Sequence, residues 1–161
     1  MPDNARGITL LQMVVVVAFL GGMWLIRSFV IMPMLERAQV KAEESAAIGS
    51  LRMIGTAELT FSTASNSGYT SSLGDLTDRS AAPGAESRSQ IDPELASGVK
   101  NGYRYLYTPK IGAADSSYVG SFTVQADPID SRIGERHFFM DESLVIHANV
   151  RGQASPSDPG L

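Results

Sequence analysis

The chain has two histidines, and both lie close to acidic residues of the kind that bind metal ions. His137 and His147 flank the acidic pair Asp141 and Glu142. Imidazole and carboxylate groups are common zinc ligands, but such a site needs a further protein ligand at a suitable spacing, and none follows here. Both histidines lie in predicted strands that flank a turn, and we favour this structural interpretation over metal binding.

Carboxylates elsewhere raise the question of calcium, which prefers oxygen ligands. The candidates are Asp92, Glu94, Asp127 and Asp130, and solvated turns account for all four. The chain contains no cysteine, and it shows no nucleophile elbow and no phosphate-binding glycine loop. The sequence therefore predicts a protein that is not an enzyme and that holds no metal or cofactor.

A single amide stands inside the longest apolar run of the chain. Residues Ile8 to Ile26 include only Thr9, Gln12 and the pair Gly21-Gly22 as interruptions, and none of these is charged. A helix over these residues would be about 28 Å long, close to the hydrocarbon thickness of a bilayer, about 30 Å. A buried helix, a secretory signal peptide and a plain transmembrane anchor are alternative interpretations of this run, but none of them explains the order of its residues.

That order resembles the processing site of type IV prepilins and of type II secretion pseudopilins. A basic residue and Gly7 are followed by "ITLLQ" and then by a Val-rich run. In this family a membrane peptidase cuts after the glycine and methylates the new N-terminus. The resemblance implies a leader of residues 1–7, cleavage between Gly7 and Ile8, and N-methylation of Ile8.

The resemblance also implies which residues take part in assembly. Gln12 stands where the family usually has a glutamate that pairs with the N-terminal amine of a neighbouring subunit. A neutral amide pairs less strongly than an acid but costs less within a bilayer, which favours a minor or initiating subunit. Gly21, Gly22 and Pro33 delimit a segment where we expect the helix to bend or unwind, because glycine lowers helix propensity and proline removes a backbone hydrogen bond.

Beyond Pro33 the helical pattern continues but becomes amphipathic. Apolar residues recur at helical spacing, which predicts one face that packs on a small sheet; they are Ala47, Leu51, Ile54 and Phe61. We therefore expect one helix from Ile8 to Ala64, with a transmembrane or filament-core half at 8–34 and an amphipathic half at 35–64. Asn66 or Gly68 would close it in the left-handed conformation.

The remaining residues predict a globular part at 65–152. A turn of helix is expected in "SSLGDL", and a short helix after Asp92 as N-cap, with Gly98 as its stop. Alternating patterns indicate strands in "GYRYLYTP" and "SYVGSFTVQA", with Tyr103, Tyr105 and Tyr107 on one face. A hairpin follows, whose predicted core residues are Phe138, Phe139, Leu144 and Ile146. Residues 153–161 are expected to be disordered.

These features together predict an α+β fold with a long N-terminal helix on a roughly four-stranded antiparallel sheet, as in pilins. The resemblance implies an inner-membrane protein with a periplasmic globular domain, later part of a pilus or pseudopilus. Its expected partners are the prepilin peptidase, other pilin or pseudopilin subunits, the inner-membrane assembly platform and the membrane. Nucleic acid is not expected, because the net charge is -4 and the pI is about 5.1. The alternative is an uncleaved, membrane-anchored periplasmic binding module with a tyrosine-rich ligand surface.

Overall fold

A computed structural model describes residues 10–28, 32–65, 68–77, 90–112 and 118–161. These residues form two compact units, which divide between Gln39 and Val40. The first unit contains helix α1, Leu10–Ile26, and the start of helix α2, Met32–Ser65, which continues into the second unit. The second unit is α+β, with a five-stranded antiparallel sheet.

The helix expected from about Ile8 to Ala64 is described as two helices with an irregular turn in the segment where bending or unwinding was predicted. Regular α-helix ends at Ile26, and Arg27 and Ser28 form a π-helical turn. Helix α2 begins at Met32, which places Pro33 in its first turn, where a missing N–H breaks no helical hydrogen bond. The irregular turn lies within the predicted segment from Gly21 to Pro33, although both glycines themselves are in regular helix. Ile8 lies outside the described residues.

Short elements connect α2 to the sheet, and the predicted cap at Asp92 is confirmed. Gly68 has a φ of 86° after the end of α2, while Asn66 lies outside the described residues. A 3-10 turn follows at Leu73–Leu76. Helix α3, Pro93–Ala96, is capped by Asp92, whose Oδ1 accepts a hydrogen bond from the Leu95 N–H at 3.0 Å.

The sheet is an antiparallel meander in which each strand pairs with the next one along the chain. Its strands are β1 Val99–Lys100, β2 Tyr103–Ile111, β3 Val119–Pro128, β4 His137–Asp141 and β5 Ile146–Asn149. The prediction of about four strands missed β1, a two-residue strand that joins β2 through a turn at Asn101 and Gly102, both of which have positive φ. Such short strands carry too few residues for a periodic signal.

The core lies between α2 and one face of the sheet. The register places Tyr107, Val124, Met140 and Ile146 in one row across the four longer strands. The predicted helix stripe supplies the other side, since Ala47, Leu51 and Ile54 are fully buried and Phe61 is half-buried. Alternation along the strands therefore assigns one face of each strand to the helix.

Leu144 is a correction to the predicted core. It lies in the turn between β4 and β5 with a φ of 62° and is 39% exposed, whereas Phe138, Phe139 and Ile146 are buried as predicted. The turn needs one residue in the left-handed region, and Leu144 occupies that position at a steric cost. Its side chain reaches α2 at Gly55, where a Cβ would lie 2.8 Å from Leu144 Cδ2 and 3.2 Å from Met140 Cε.

The C-terminal segment is a second correction, because residues 153–161 were expected to be disordered. The Ala148 N–H donates to the Pro159 carbonyl at 3.1 Å, and the Leu161 N–H donates to the Ile146 carbonyl at 2.8 Å. Gly160 forms an antiparallel bridge with His147. The segment is polar and rich in proline, as disordered tails are. Its backbone nevertheless forms hydrogen bonds with the outer edge of β5. Such bonds leave no periodic pattern in the sequence, so the sequence alone does not reveal them.

Substitution of Gly55 by alanine tests the close approach of α2 to the β4–β5 turn. Gly49 on the same helix is the matched control, because a Cβ there meets nothing within 4 Å. We expect Gly49→Ala to raise the free energy of unfolding by about 0.5–1 kcal/mol through helix propensity. The free energy of unfolding of Gly55→Ala should be at least about 1 kcal/mol lower than that of Gly49→Ala, because Leu144 and Met140 must move to make room for the added Cβ.

Urea unfolding measures both variants, and Leu144→Ala supplies the second arm. When the Leu144 side chain is shortened, the difference between the two alanine variants should shrink, since the contact that separates them is removed. If Gly55→Ala stabilises the protein as much as Gly49→Ala, the packing described for this turn is wrong.

Candidate assembly surface

Four of the six predicted site residues lie in the described part of the chain. Gln12, Gly21 and Gly22 are on α1, and Pro33 is in the first turn of α2. Gly7 and Ile8, the predicted cleavage and methylation positions, lie outside the described residues. The structure therefore bears on the predicted assembly residues and not on the processing site.

Helix α1 carries apolar side chains on all sides, with Gln12 as its one polar side chain, and none of its residues is buried. Phe19 is 71% exposed and Trp24 is 67% exposed, and the valines from Val14 to Val17 are all more than half exposed. Globular helices normally bury one apolar stripe and expose a polar face. A helix that is apolar all round needs a partner other than water over its whole circumference.

The predicted assembly residues occupy two sides of α1. With 100° of rotation per residue, Val16, Phe19 and Met23 fall on the same side of the helix as Gln12. Gly21 falls on the opposite side. A Cβ at Gly21 or Gly22 meets nothing within 4 Å, so packing among the described residues does not require glycine at these positions.

The length of α1 bears on its predicted role as a membrane span. Among the helices that the structure describes, none combines enough length with enough apolar character to cross a membrane. Helix α1 contains 17 residues.

The tyrosines of β2, which the alternative prediction made a ligand surface, contribute mainly to the core. Tyr103 and Tyr105 are 0% and 4% exposed and belong to the core beneath α2. Tyr107 is half-buried, and its ring stacks on Phe122 with centroids 5.7 Å apart. The Tyr107 hydroxyl donates to the Thr70 carbonyl at 2.9 Å. Rings that are covered in this way leave little face for stacking on a ligand.

A buried carboxyl group joins α2 to the segment that follows it. Glu58 is fully buried, and its Oε2 accepts a hydrogen bond from the Thr70 N–H at 3.0 Å. The Thr70 hydroxyl donates to Oε1 of the same side chain. Because the Tyr107 hydroxyl donates to the Thr70 carbonyl, Thr70 links Glu58 of α2 to Tyr107 of β2.

Sequence reasoning missed Glu58, although a signal was present. Glu58 is seven residues after Leu51 and four after Ile54, so it lies on the apolar stripe that packs on the sheet. A carboxyl group at such a position must be hydrogen-bonded, since an unpaired buried charge is costly. Burial raises the pKa of Glu58 above its ordinary value of 4.5, while the hydrogen bonds from Thr70 oppose that rise.

Several of the acidic and histidine candidates for metal binding are engaged in contacts that lie apart from one another. His137 Nδ1 lies 2.6 Å from Asp127 Oδ1, Asp92 pairs with Lys100 at 2.6 Å, and Asp130 pairs with Arg132 at 2.7 Å. Within the described ranges, the structure brings together no group of three or more possible metal-ligating residues. The predicted candidates therefore do not form one site.

The C-terminal segment borders a cleft of about 580 Å³ at the end of β5. Its lining includes the cations Arg136 and Arg151 and the apolar residues Val150 and Leu161. Asp158 also lies at the cleft, but both of its carboxylate oxygens are occupied: Oδ1 accepts from Asn149 Nδ2 at 2.9 Å, and Oδ2 accepts from the N–H and hydroxyl of Ser155. The hydrogen bonds from Ser155 lower the pKa of Asp158.

No protein-family model, no curated protein and no solved structure matches the chain.

The buried carboxyl of Glu58 predicts a pH dependence of stability. Its pKa is raised in the folded state, so the folded protein holds a proton that the unfolded chain releases once the pH exceeds about 4.5. This contribution to stability is complete below that pH and is lost as the pH rises through the raised pKa. Glu58→Gln removes the titration, so the free energy of unfolding of the variant should improve relative to wild type as the pH rises.

Urea unfolding at a series of pH values above 4.5 measures this difference. Glu94→Gln, on an exposed position of α3, is the matched control, and replacement of such a side chain changes stability by less than about 0.5 kcal/mol. A difference between Glu58→Gln and wild type that stays constant across the series would contradict a raised pKa. A free energy of unfolding that falls for Glu58→Gln relative to wild type as the pH rises would contradict the direction of the pKa shift.

Proposed function

We propose that this chain is a structural subunit of a type IV pilus or a type II secretion pseudopilus, assembled through its N-terminal helix. The observation that carries the proposal is α1, in which Gln12 is the one polar side chain among 17 residues and no residue is buried. Such a helix is stable in a bilayer or in the centre of a helical assembly. A filament core of stacked helices supplies apolar neighbours over the whole circumference.

The two glycines support close packing of α1 against copies of itself. Small residues allow helix backbones to approach closely where no water drives the association. No atom of the described residues lies within 4 Å of a Cβ placed at Gly21 or Gly22, so these residues leave room for a second helix there. The apolar run that contains them extends over residues 8–26 of the sequence.

Gln12 fits this role in a specific way. After cleavage at Gly7, Ile8 carries the N-terminal amine, and the Gln12 side-chain carbonyl of a neighbouring copy accepts a hydrogen bond from it. An amide forms a weaker pair with the amine than a carboxylate does, since charge-assisted hydrogen bonds are about twice as strong. Residence in the inner membrane is favoured over recruitment to the fibre, which suits a minor or initiating subunit.

The proposal assigns each part of the chain to a stage of the process. The leader directs the precursor to the prepilin peptidase, and α1 holds it in the inner membrane with the globular unit in the periplasm. The assembly platform then transfers the processed subunit into the filament. The globular unit has no catalytic role in this scheme, and the burial of Tyr103 and Tyr105 makes a tyrosine ligand surface the weaker alternative.

Processing after Gly7 is tested by mass spectrometry of the N-terminus. We expect the wild-type protein, produced together with a prepilin peptidase, to begin at Ile8 with a methylated amine. Gly7→Val should accumulate as a precursor with the leader attached, because a bulky side chain blocks access of the peptidase to the backbone. Gly49→Ala, which changes a glycine outside the leader, is the control and should mature normally.

Two results would contradict the processing proposal. One is a Gly7→Val protein that begins at Ile8 as the wild type does. The other is a wild-type protein that keeps its leader in the presence of an active peptidase, which would support the uncleaved anchor instead.

The role of Gln12 is tested by its replacement with glutamate. Gln12→Glu should increase the copy number of this subunit in purified filaments, because a carboxylate restores the stronger pair with the N-terminal amine. Quantitative mass spectrometry of filaments measures the change, and Val16→Ile on the same side of α1 is a control that keeps the helix apolar. If the wild-type protein already makes up most of the fibre and Gln12→Glu does not increase its copy number, the assignment to a minor subunit is contradicted.

A further inference from the structure

Arg27 is a cation in an apolar segment, and the residues beside it on the helix offer no counter-charge. It follows the last residue of α1 directly and is exposed within the π-helical turn. The residues three and four positions away on either side, which are its neighbours on a helix, are all apolar. Arg27 forms no ion pair with another described residue. Among closely packed apolar helices, this guanidinium group needs an anion from a neighbouring molecule.

Glu36 is an anion that also lacks a partner on its own helix. It is exposed on α2 and, like Arg27, belongs to the first compact unit. No cation stands three or four positions away from it, and it forms no ion pair with another described residue. The adjacent Arg37 is rotated by about 100° around the helix axis and therefore faces another direction. In the sequence from Ile8 to Ala42, Glu36 is the only acidic residue.

The spacing of the two charges favours one way of packing parallel copies over another. When two copies pack in register, Arg27 lies beside Arg27 and Glu36 lies beside Glu36, so like charges repel each other. The two residues are nine positions apart in the sequence. An offset of nine residues between the copies therefore places Arg27 of one copy level with Glu36 of the other. At the helical rise of about 1.5 Å per residue, this offset is about 13 Å.

We infer that Arg27 of one copy pairs with Glu36 of a second, parallel copy, and that this pair sets the offset between neighbouring N-terminal helices. The inference rests on the proposed function, because it requires α1 to pack against copies of itself. An offset of nine residues leaves eight of the 17 residues of α1 level with α1 of the neighbour, which preserves apolar packing. Glu43, the next acid along the chain, is 16 residues from Arg27 and would leave one residue level.

The pair is heterologous, because it joins two different positions. Each copy uses Arg27 toward one neighbour and Glu36 toward another, so the contact repeats from copy to copy and does not close into a two-fold dimer. The hydrogen bond proposed between Gln12 and the amine of Ile8 corresponds to an offset of four residues. The two contacts therefore join different neighbours in a helical array.

The need for the pair arises on assembly. In a bilayer the long Arg27 side chain extends its charge to the headgroups. Stacked helices replace the surrounding lipid, and a charge that is left unpaired among apolar helices is costly. A carboxylate supplied by the neighbour satisfies the guanidinium group with charge-assisted hydrogen bonds.

Disulfide cross-linking measures the offset, and the absence of native cysteine makes every disulfide an engineered one. Met23 and Met32 each precede one of the two charged residues by four positions, so they lie close to the same side of the helix and have the same offset. Full-length Met23→Cys and Met32→Cys proteins with different affinity tags are produced together in one bacterial membrane, which gives both the same orientation, and are oxidised there. A disulfide requires Cα atoms within about 7 Å.

Two further pairs serve as controls. Differently tagged Met23→Cys proteins cross-link when the helices pack in register. Met23→Cys with Glu94→Cys, an exposed position on α3, gives the background yield. Immunoblots of the membrane fraction check that all variants are present in equal amounts.

We expect the offset pair to give at least about fivefold more dimer with both tags than the in-register pair. Arg27→Glu in the Met23→Cys protein should remove the excess, because it brings two carboxylates together, and Glu36→Arg in the Met32→Cys protein should restore it. Arg27→Lys keeps the charge and should keep the excess. Restoration by the double exchange distinguishes an ion pair from a structural effect of either change alone.

The possible failures separate the inference from the proposed function. Equal yields from the offset and in-register pairs, both above background, would overturn the inference and leave the packing of α1 on its copies intact. An excess that Arg27→Glu leaves unchanged would also overturn it, since the headgroups would then suffice for Arg27. Yields at background for both pairs would contradict the inference and the packing of α1 together, while cleavage before Ile8 is decided by its own mass-spectrometric test.

Discussion

The packing of α2 on the tyrosine face of the sheet is the interaction on which the second unit depends. On the helix, Leu51 and Ile54 are fully buried in this contact. On the sheet, Tyr103 and Phe122 are fully buried in it. A unit of this size buries only a modest fraction of its surface, so the few large side chains must all contribute. Among the described elements, α2 is the long helix that covers the sheet, while the short helix α3 and the 3-10 turn add Leu95, Leu73 and Leu76 to the same core.

Glu58 adds a directional constraint to that apolar contact. Apolar packing tolerates small rotations and shifts of a helix, whereas a carboxyl group that binds both the N–H and the hydroxyl of Thr70 does so in one position. The close approach at Gly55 fixes the same helix from the side of β4 and β5. Together the two contacts set the rotation of α2 and its position along the sheet.

Sequence reasoning recovered the elements with strong periodicity and missed those set by tertiary contacts. The stripe on α2, the alternation of Tyr103 to Tyr107 and the cap at Asp92 are local patterns, and the structure confirms them. The β4–β5 turn was placed correctly, but Leu144 was assigned to the core because its type is apolar, while its position is set by turn geometry. Nothing local marks Asp158 as the residue that holds the C-terminal segment. For the proposed assembly surface, the sequence pointed to Gln12, Gly21 and Gly22 of α1, and the structure adds that none of the three is buried.

The hydrogen bonds of the C-terminal segment to β5 have a consequence for solubility. An uncovered edge strand offers a row of free N–H and C=O groups to any extended chain, which is a common start of aggregation. Pro159 and Leu161 occupy these groups along β5. On the β2 edge the strand contains Pro109, which has no N–H to donate to an incoming strand. Both edges thereby limit strand pairing between neighbouring copies of the chain, so contacts between copies depend on side chains rather than on free backbone groups.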